Sequence, residues 1–506
     1  MPKRASGPLL TALSLDRDSA APLHRQLYRG LWEAILTKRL APGERLPASR
    51  VLAVELGVSR NTVQEAFRQL WAEGYLDGKV GAGTYVAQTL PDDHLRAARR
   101  PETRGGARDP ASTEARLSRR GAAQAAYFAD MDFPRLLESR RAGRAFVAGT
   151  PALDAFPFDL WGRLTARHAR NLRPEQLEYQ DAAGYPPLRA AIADYLRDAR
   201  GVRCAPEQVI LTAGAQQAMT LAAHLLLDPS EAAWVEDPGY FGVRGALLAA
   251  GARLVPVPVD GEGVDVTAGE TLCPEARLAC VTPAHQMPLG VAMSLTRRLA
   301  LLEWARRSGA YILEDDYDGE YRYAGRPLAS LQGLDRDGRV LYLGTFSKVL
   351  FPALRTGYLV VPEALVDNFR TARFFADFHG GLLEQAVLTD FLREGHFTRH
   401  IRRMRQLYAE RQNVLLETAR AELGGLLDVA PADTGMHLLG WLPPGCDDVD
   451  AFARAAAHGV STVPLSRLRL NPGGEGHRGA LMLGYAAVPP DEIRRGVCAL
   501  AAALTP

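Results

Sequence analysis

Apolar side chains recur at Leu23, Leu27, Leu31, Ala34 and Ile35, the spacing of one helical face, with polar residues filling most positions between. Pro22 suits a first helical position. The run APGERLP (41–47) then breaks the pattern. Residues 48–57, ASRVLAVELG, predict a second short helix ending at Gly57. Ser59 predicts the N-cap of a third, SRNTVQEAFRQLWAEG, with Val63, Ala66, Phe67 and Leu70 as its core stripe. Two short β-like runs come next around a glycine-rich tip, YLDGKVGAGTYVA. Helix, helix-turn-helix, hairpin is the order of a winged helix-turn-helix.

Residues 91–124 lack a sustained apolar period and are rich in Arg, Ala, Pro and Gly, which predicts a solvated, flexible linker. From about residue 127 short β-rich runs alternate with helical stretches. QVILTAGAQQAM, AAWVEDPGY, RLACVTPAH, AYILEDDY and RVLYLGTFS each end in a polar or glycine-containing turn. That alternation predicts an α/β domain with a largely parallel sheet, whose ligands sit at the carboxyl ends of the strands. The expected division is 1–88 for the winged helix, 89–126 for the linker and 127–506 for the α/β domain.

Composition adds little to this division. A chain of 506 residues exceeds what one core holds, and 47% hydrophobic with 23% charged residues is ordinary for a globular protein. No apolar run reaches the roughly 20 residues that span a bilayer, and the N-terminus has no secretory signal. The five cysteines are scattered and form neither a disulfide framework nor a metal pattern, so a cytoplasmic protein without a metal is expected. Charge is uneven beneath the net +2. Residues 1–86 carry 12 Lys and Arg against 8 Asp and Glu, and residues 87–124 carry 8 against 5, leaving the remainder acidic. A basic front end is compatible with nucleic acid, and equally with a solvated surface.

The third helix carries chemistry suited to double-stranded DNA. A recognition helix presents its first turn to base edges, here Ser59, Arg60, Asn61 and Thr62. Arg pairs with guanine, Asn with adenine, and Thr with a thymine methyl or a phosphate. Arg45 and Arg50 flank the preceding helix, and Lys79 and Gly83 lie in the expected wing.

In LGTFSKVLFPALRTGY (343–358) a single lysine, Lys348, precedes Arg355 by seven residues. A pyridoxal phosphate site needs an amine for the aldehyde, a carboxylate for the ring nitrogen, a donor to the phenolic oxygen and a phosphate cradle. Lys348 supplies the amine, Asp315 the carboxylate and Tyr317 the donor. Arg355, the hydroxyls of Thr345 and Ser347, and the backbone of Gly214, Ala215 and Gln216 at a strand-to-helix junction supply the cradle. Tyr240 in EDPGY is placed to stack on the ring. Singly, each fragment also has a plain reading, as a helix start, an acidic loop or a common Ser-Lys pair.

Residues 22–86 resemble the GntR-type winged helix through PLHRQLYRGLWEAI, PGERLPASRVLAVELGVSRNTVQEAFRQLWAEGYL and GAGTYV. Residues 140–506 resemble the fold-type I aminotransferases through YQDAAGYPPLRAAIADYLRDARGV, LTAGAQQAM, EDPGY, TPAHQMPLG, ILEDDYDGEYRY and GTFSKVLFPALRTGY. Together the chain resembles the MocR (GabR-like) branch of the GntR regulators. This implies a pyridoxal phosphate-binding transcriptional regulator that senses the cofactor or an amine or amino-acid metabolite, and a head-to-tail homodimer on promoter DNA. It assigns the aldehyde-binding amine to Lys348, the ring nitrogen to Asp315, the phenolic oxygen to Tyr317 and the phosphate to Arg355.

Two departures bear on function. The aminotransferase turn NPxG is here Met287-Pro288-Leu289-Gly290, so His285 or Gln286 is expected to take over from the missing asparagine. The arginine that commonly holds a substrate carboxylate is replaced by Met482 in MLGYA, with Arg478 and Arg244 as candidate substitutes. Full transaminase turnover is therefore not expected, although a half-reaction stays open. Pyridoxal phosphate itself as the signal, in a regulator of vitamin B6 biosynthesis, is a further expectation. The alternative is a working aminotransferase with an appended DNA-binding domain.

Overall fold

The computed structural model describes residues 15–79, 83–90, 117–131, 145–323, 329–471 and 478–505. The chain divides into two compact units, residues 1–114 and 115–506.

In the first unit, α1 (Leu23–Leu36), α2 (Ser49–Glu55) and α3 (Arg60–Ala72) precede an antiparallel hairpin of β1 (Leu76–Lys79) and β2 (Gly83–Val86). Leu27, Leu31, Ala34 and Ile35 of α1 meet Val63, Ala66, Phe67 and Leu70 of α3 in one buried cluster, as their spacing predicts. Pro22 stands just before α1 rather than inside it, because its ψ of 139° is extended. Ser59 caps α3, accepting from the Thr62 amide at 3.1 Å.

In the second unit the described strands β3 (Val209–Thr212), β4 (Ala232–Asp237), β5 (Arg253–Asp260), β6 (Gly263–Val264), β7 (Leu278–Val281), β8 (Tyr311–Asp316), β9 (Val340–Thr345) and β10 (Gly357–Val360) form one sheet. Its order is β3-β10-β9-β8-β7-β4-β5-β6. β5, β4, β7, β8 and β9 run parallel, while β10 is antiparallel to both β9 and β3. Helices such as Ala215–Leu226 and Leu295–Ser308 connect the strands, and small apolar side chains of the former pack in a core with β3, β4 and β8. A smaller antiparallel sheet holds β11 (Asp428–Val429), β12 (His437–Trp441), β13 (Val463–Pro464) and β14 (Ala480–Gly484) in the order β11-β12-β14-β13.

The largely parallel sheet was legible from the alternation; the reversal at β10 was not. It places the whole connection from β9 to β10, residues 346–356, at the carboxyl edge of the parallel strands, and that connection carries Lys348 and Arg355.

Most of the expected linker lies outside the described residues, and its last part is helical. Arg119–Asp130 is a helix, capped by Ser118, and its Gln124 donates to the Gly245 carbonyl at 3.2 Å. None of its side chains is buried. Alanine-rich helix propensity builds it without the apolar stripe that periodicity detects. Among the described residues no helix is long and apolar enough to cross a membrane.

Candidate functional site

The first turn of α3 exposes Arg60 and Asn61, and Gln64 lies exposed on the next turn. Arg50 is also exposed, in the first turn of α2. The hydroxyls of Ser59 and Thr62 are 2.9 Å apart and bond to each other, so these two residues build the start of the helix. Arg45 bridges to Tyr85 of β2 and lies over its ring, 5.9 Å from the centroid. Gly83, at φ +109°, adjoins the Arg45 guanidinium, and a Cβ there would stand 2.8 Å from Nε. A side chain at Gly83 would displace Arg45, which explains the glycine in structural terms. The side chain of Lys79 and the wing tip, 80–82, lie outside the described residues.

In the second unit the carboxyl edge of the large sheet gathers the other predicted residues. β3 ends at Thr212, and Gly214 then turns at φ +83° into the helix Ala215–Leu226. The first-turn amides of Ala215 and Gln216 have no acceptor within a helix. Arg355, itself at φ +50°, donates to the Ala213 carbonyl at 2.7 Å, and its guanidinium lies over Gly214. Thr345, paired with Gly357 across β9 and β10, accepts from the Ser347 amide at 3.2 Å. The Gln216 side chain turns away and donates to the Gly242 carbonyl at 2.8 Å, so only its backbone faces the cradle.

Lys348 is half-buried, and its Nζ donates to the Gly149 carbonyl at 2.8 Å. Its charge is felt by Asp315 and by His437. Asp315 closes the end of β8, and its Oδ1 is buried without a hydrogen-bond partner among the described residues. Burial, followed by the neighbouring charges of Asp316 and Asp318, pushes its carboxyl up to about 8. Tyr240, Glu236, Thr282 and Asp315 line one narrow cavity. Glu236 is itself buried and pushed up to about 7, chiefly by desolvation.

Asp316, next to Asp315, points elsewhere. It pairs with Arg200 and accepts from the Tyr342 hydroxyl at 2.5 Å. Tyr317 bonds to His285 Nδ1 at 2.9 Å, and His285 also bonds to Asp318. His285, expected near the cofactor's phenolic oxygen, is held through Nδ1 by Tyr317 and Asp318, and its Nε2 is buried without a hydrogen-bond partner among the described residues. Gln286 is committed to Glu236 and to the Pro238 and Met287 carbonyls, at 2.8 to 3.1 Å.

The two candidate replacement arginines are also committed. Arg244 is 1% exposed and donates to the Glu236 carbonyl at 2.8 Å. Arg478 lies beside the small sheet, on the carbonyls of Leu442 and Trp441. A cavity of about 570 Å³ near Arg478, lined also by Arg467, Arg469 and Asp447, contains none of the residues that gather around Lys348. Met482 is buried in an apolar cluster with Ala148, Leu439, Leu465 and Leu468, against which Met287, Leu289 and Phe241 pack.

Sequence patterns do not single out Gly149, Asp318, Gly435 and His437, which join the site only through pairings distant in sequence.

A winged helix-turn-helix in one chain with a fold-type I aminotransferase-like domain defines the class. Residues 23–86 match the family described as bacterial regulatory proteins, gntR family, and residues 156–500 match aminotransferase class I and II. The chain is 44% identical to the probable rhizopine catabolism regulatory protein MocR of Rhizobium meliloti, over 97% of this chain and 95% of that one. It is 31% identical to the pyridoxine biosynthesis transcriptional regulator PdxR of Corynebacterium glutamicum, over 95% and 96%. Its second unit resembles the α-aminoadipate aminotransferase LysN of Thermus thermophilus, solved with N-(5'-phosphopyridoxyl)-L-leucine. That likeness has a TM-score of 0.66 and 33% identity, and covers 73% of this chain and 94% of that one. The chain belongs to the MocR branch of the GntR family of transcription regulators, with an aminotransferase domain of the pyridoxal phosphate-dependent kind.

Two features of this chain fit that cofactor. A Cβ on Gly214 would stand 3.0 Å from Arg355 Nη2, so the glycine lets the guanidinium lie against the helix start, where cation and free amides together suit a phosphate. The unpartnered oxygen of Asp315 suits a protonated ring nitrogen.

Proposed function

We propose that this regulator holds pyridoxal phosphate at the carboxyl edge of its large sheet and uses it to sense an amine metabolite or the cofactor itself. Lys348 supplies the amine, Asp315 faces the ring nitrogen, Tyr317 donates to the phenolic oxygen and Tyr240 covers the ring. Arg355, Thr345, Ser347 and the amides of Ala215 and Gln216 hold the phosphate. When bound, the cofactor supplies an aldehyde that exchanges between amines. The observation that carries the reading is the meeting of Arg355, Gly214 and the helix start beside Lys348 and the unpartnered Asp315.

Met482 decides the fate of a bound amino acid. Methionine itself gives a substrate carboxylate no charge-assisted partner, and the side chain is buried among apolar residues. Arg244 and Arg478 are held elsewhere. The site is therefore suited to recognising an amine more than to turning over an amino acid.

The readout is DNA binding in the cytoplasm, with Arg50, Arg60 and Asn61 facing the duplex and Arg45, Lys79 and Gly83 forming the wing contact. A head-to-tail homodimer presents two winged helices and predicts two half-sites at fixed spacing. A ligand that binds one arrangement of the dimer better shifts its population.

The test uses the full chain, DNA upstream of its own and neighbouring genes, and pyridoxal phosphate with a panel of amines. The expected result is promoter binding that changes with cofactor or amine, and borohydride trapping of the cofactor on Lys348 that Lys348→Ala abolishes. Many catalytic turnovers together with indifference to promoter DNA would sink the regulator reading.

A further inference from the structure

His285 and Asp318 are 2% and 1% exposed. Nδ1 of His285 lies 2.9 Å and 3.1 Å from the two Asp318 oxygens and 2.9 Å from the Tyr317 hydroxyl. One ring nitrogen carries either a hydrogen or a lone pair, never both. A carboxylate offers only acceptors, so the Asp318 contact places the hydrogen on Nδ1. Nδ1–H then points at the carboxylate and at the phenol together, and Tyr317 accepts from it. The hydrogen of Tyr317 is left to be donated elsewhere.

The surroundings are shaped to hold this ring. Gly435, at φ +96°, lies so close that a Cβ would stand 2.0 Å from His285 Cε1, and a Cβ on Gly290 would stand 3.3 Å from Nε2. The His437 ring lies 5.2 Å away and bonds to the Pro288 carbonyl at 3.1 Å. The charged and titratable groups around Tyr317 are Asp318, Asp315, Asp316 and Glu236, with Lys348 and His437 beyond. Burial and these carboxylates push the Tyr317 phenol well above its usual range, which keeps it a donor.

We propose that Asp318 and His285 are positioning residues that fix the Tyr317 hydroxyl as a hydrogen-bond donor toward the bound cofactor's phenolic oxygen, and so set the pH at which the cofactor's absorbance changes. The inference rests on the reading of the site as a pyridoxal phosphate site. A donor aimed at the phenolic oxygen favours its charged form. Loss of that donor moves the titration to higher pH.

The test is a spectrophotometric pH titration of the full chain loaded with pyridoxal phosphate. Tyr317→Phe, His285→Phe and Asp318→Asn are each expected to move the midpoint up, by about one pH unit, a tenfold change in proton affinity. His285→Asn, whose amide restores a donor to Tyr317, is expected to recover part of the shift. Borohydride trapping and the melting temperature show that each variant is folded and loaded. A loaded His285→Phe or Asp318→Asn that titrates like the parent would overturn the proposal. Should His285→Phe fail to fold, Asp318→Asn and His285→Asn decide it. A parent that takes up no cofactor would overturn the site reading itself, before any variant is compared.

Discussion

Arg200 closes on Asp316 under the carboxyl end of β8, with Nε 2.8 Å from Oδ2 and both side chains almost fully buried. Removing one partner of such a pair strands the other charge, at a cost of about 3–5 kcal/mol. Asp316→Ala is therefore expected to lower the urea midpoint steeply. Asp315→Asn, one residue earlier, should leave the unfolding free energy at neutral pH within about 1 kcal/mol of the parent. Equal losses for the two would contradict the division of labour between them.

The Asp315 carboxyl, held at about 8 by burial, keeps its proton in the folded, cofactor-free protein long after an unfolded chain releases it near about 4. The folded state binds more protons across that window, so this contribution to stability falls as pH rises. Glu236, Glu314 and Glu320, each at about 7, act in the same direction. His437 and His400, pushed down by burial to about 3 and about 4, act oppositely below about pH 6.5. Melting of the cofactor-free protein from pH 6.5 to 7.5 isolates the carboxyls from these histidines and from the buried Cys204 and Cys280, whose raised thiols act only nearer the ordinary thiol range of about 8.5. A decline is expected, shallower in Asp315→Asn, and an unchanged slope in that variant would count against the assignment.

Gly214→Ala places a methyl at φ +83° and 3.0 Å from Arg355. Gly201→Ala supplies a control, since it shares a positive φ of +65° with nothing within 4 Å. Both should lose about 1 kcal/mol or more of stability from backbone strain. Only Gly214→Ala is expected to weaken cofactor binding, by about tenfold or more, equivalent to about 1.4 kcal/mol. Fluorescence titration with pyridoxal phosphate separates the two.

In the winged helix, Asn61→Ala should cost about 1–3 kcal/mol at one base pair and relax the preference there. Arg50→Ala should weaken binding to all sequences alike and reduce the salt slope by about one. Ser59→Ala should lose about 1 kcal/mol of stability through the cap it removes. Binding isotherms at several salt concentrations, beside thermal melts, distinguish these three effects.

The elements of both units were legible because local periodicity writes them. The stripes on α1 and α3, the cap at Ser59 and the glycine turn at Gly214 are all decided within a few residues of chain. The candidate residues around Lys348 were read instead from the needs of the cofactor and from the resemblance, not from periodicity. Tertiary structure alone decided which of two adjacent aspartates is buried against Arg200 and Tyr342 and which has its charge set beside Lys348. It alone bound the Gln216 side chain to Gly242, reversed β10 and joined His285 to both Tyr317 and Asp318. Each of those outcomes depends on a partner tens to hundreds of residues away, and no local pattern records which long-range partner satisfies a buried polar atom.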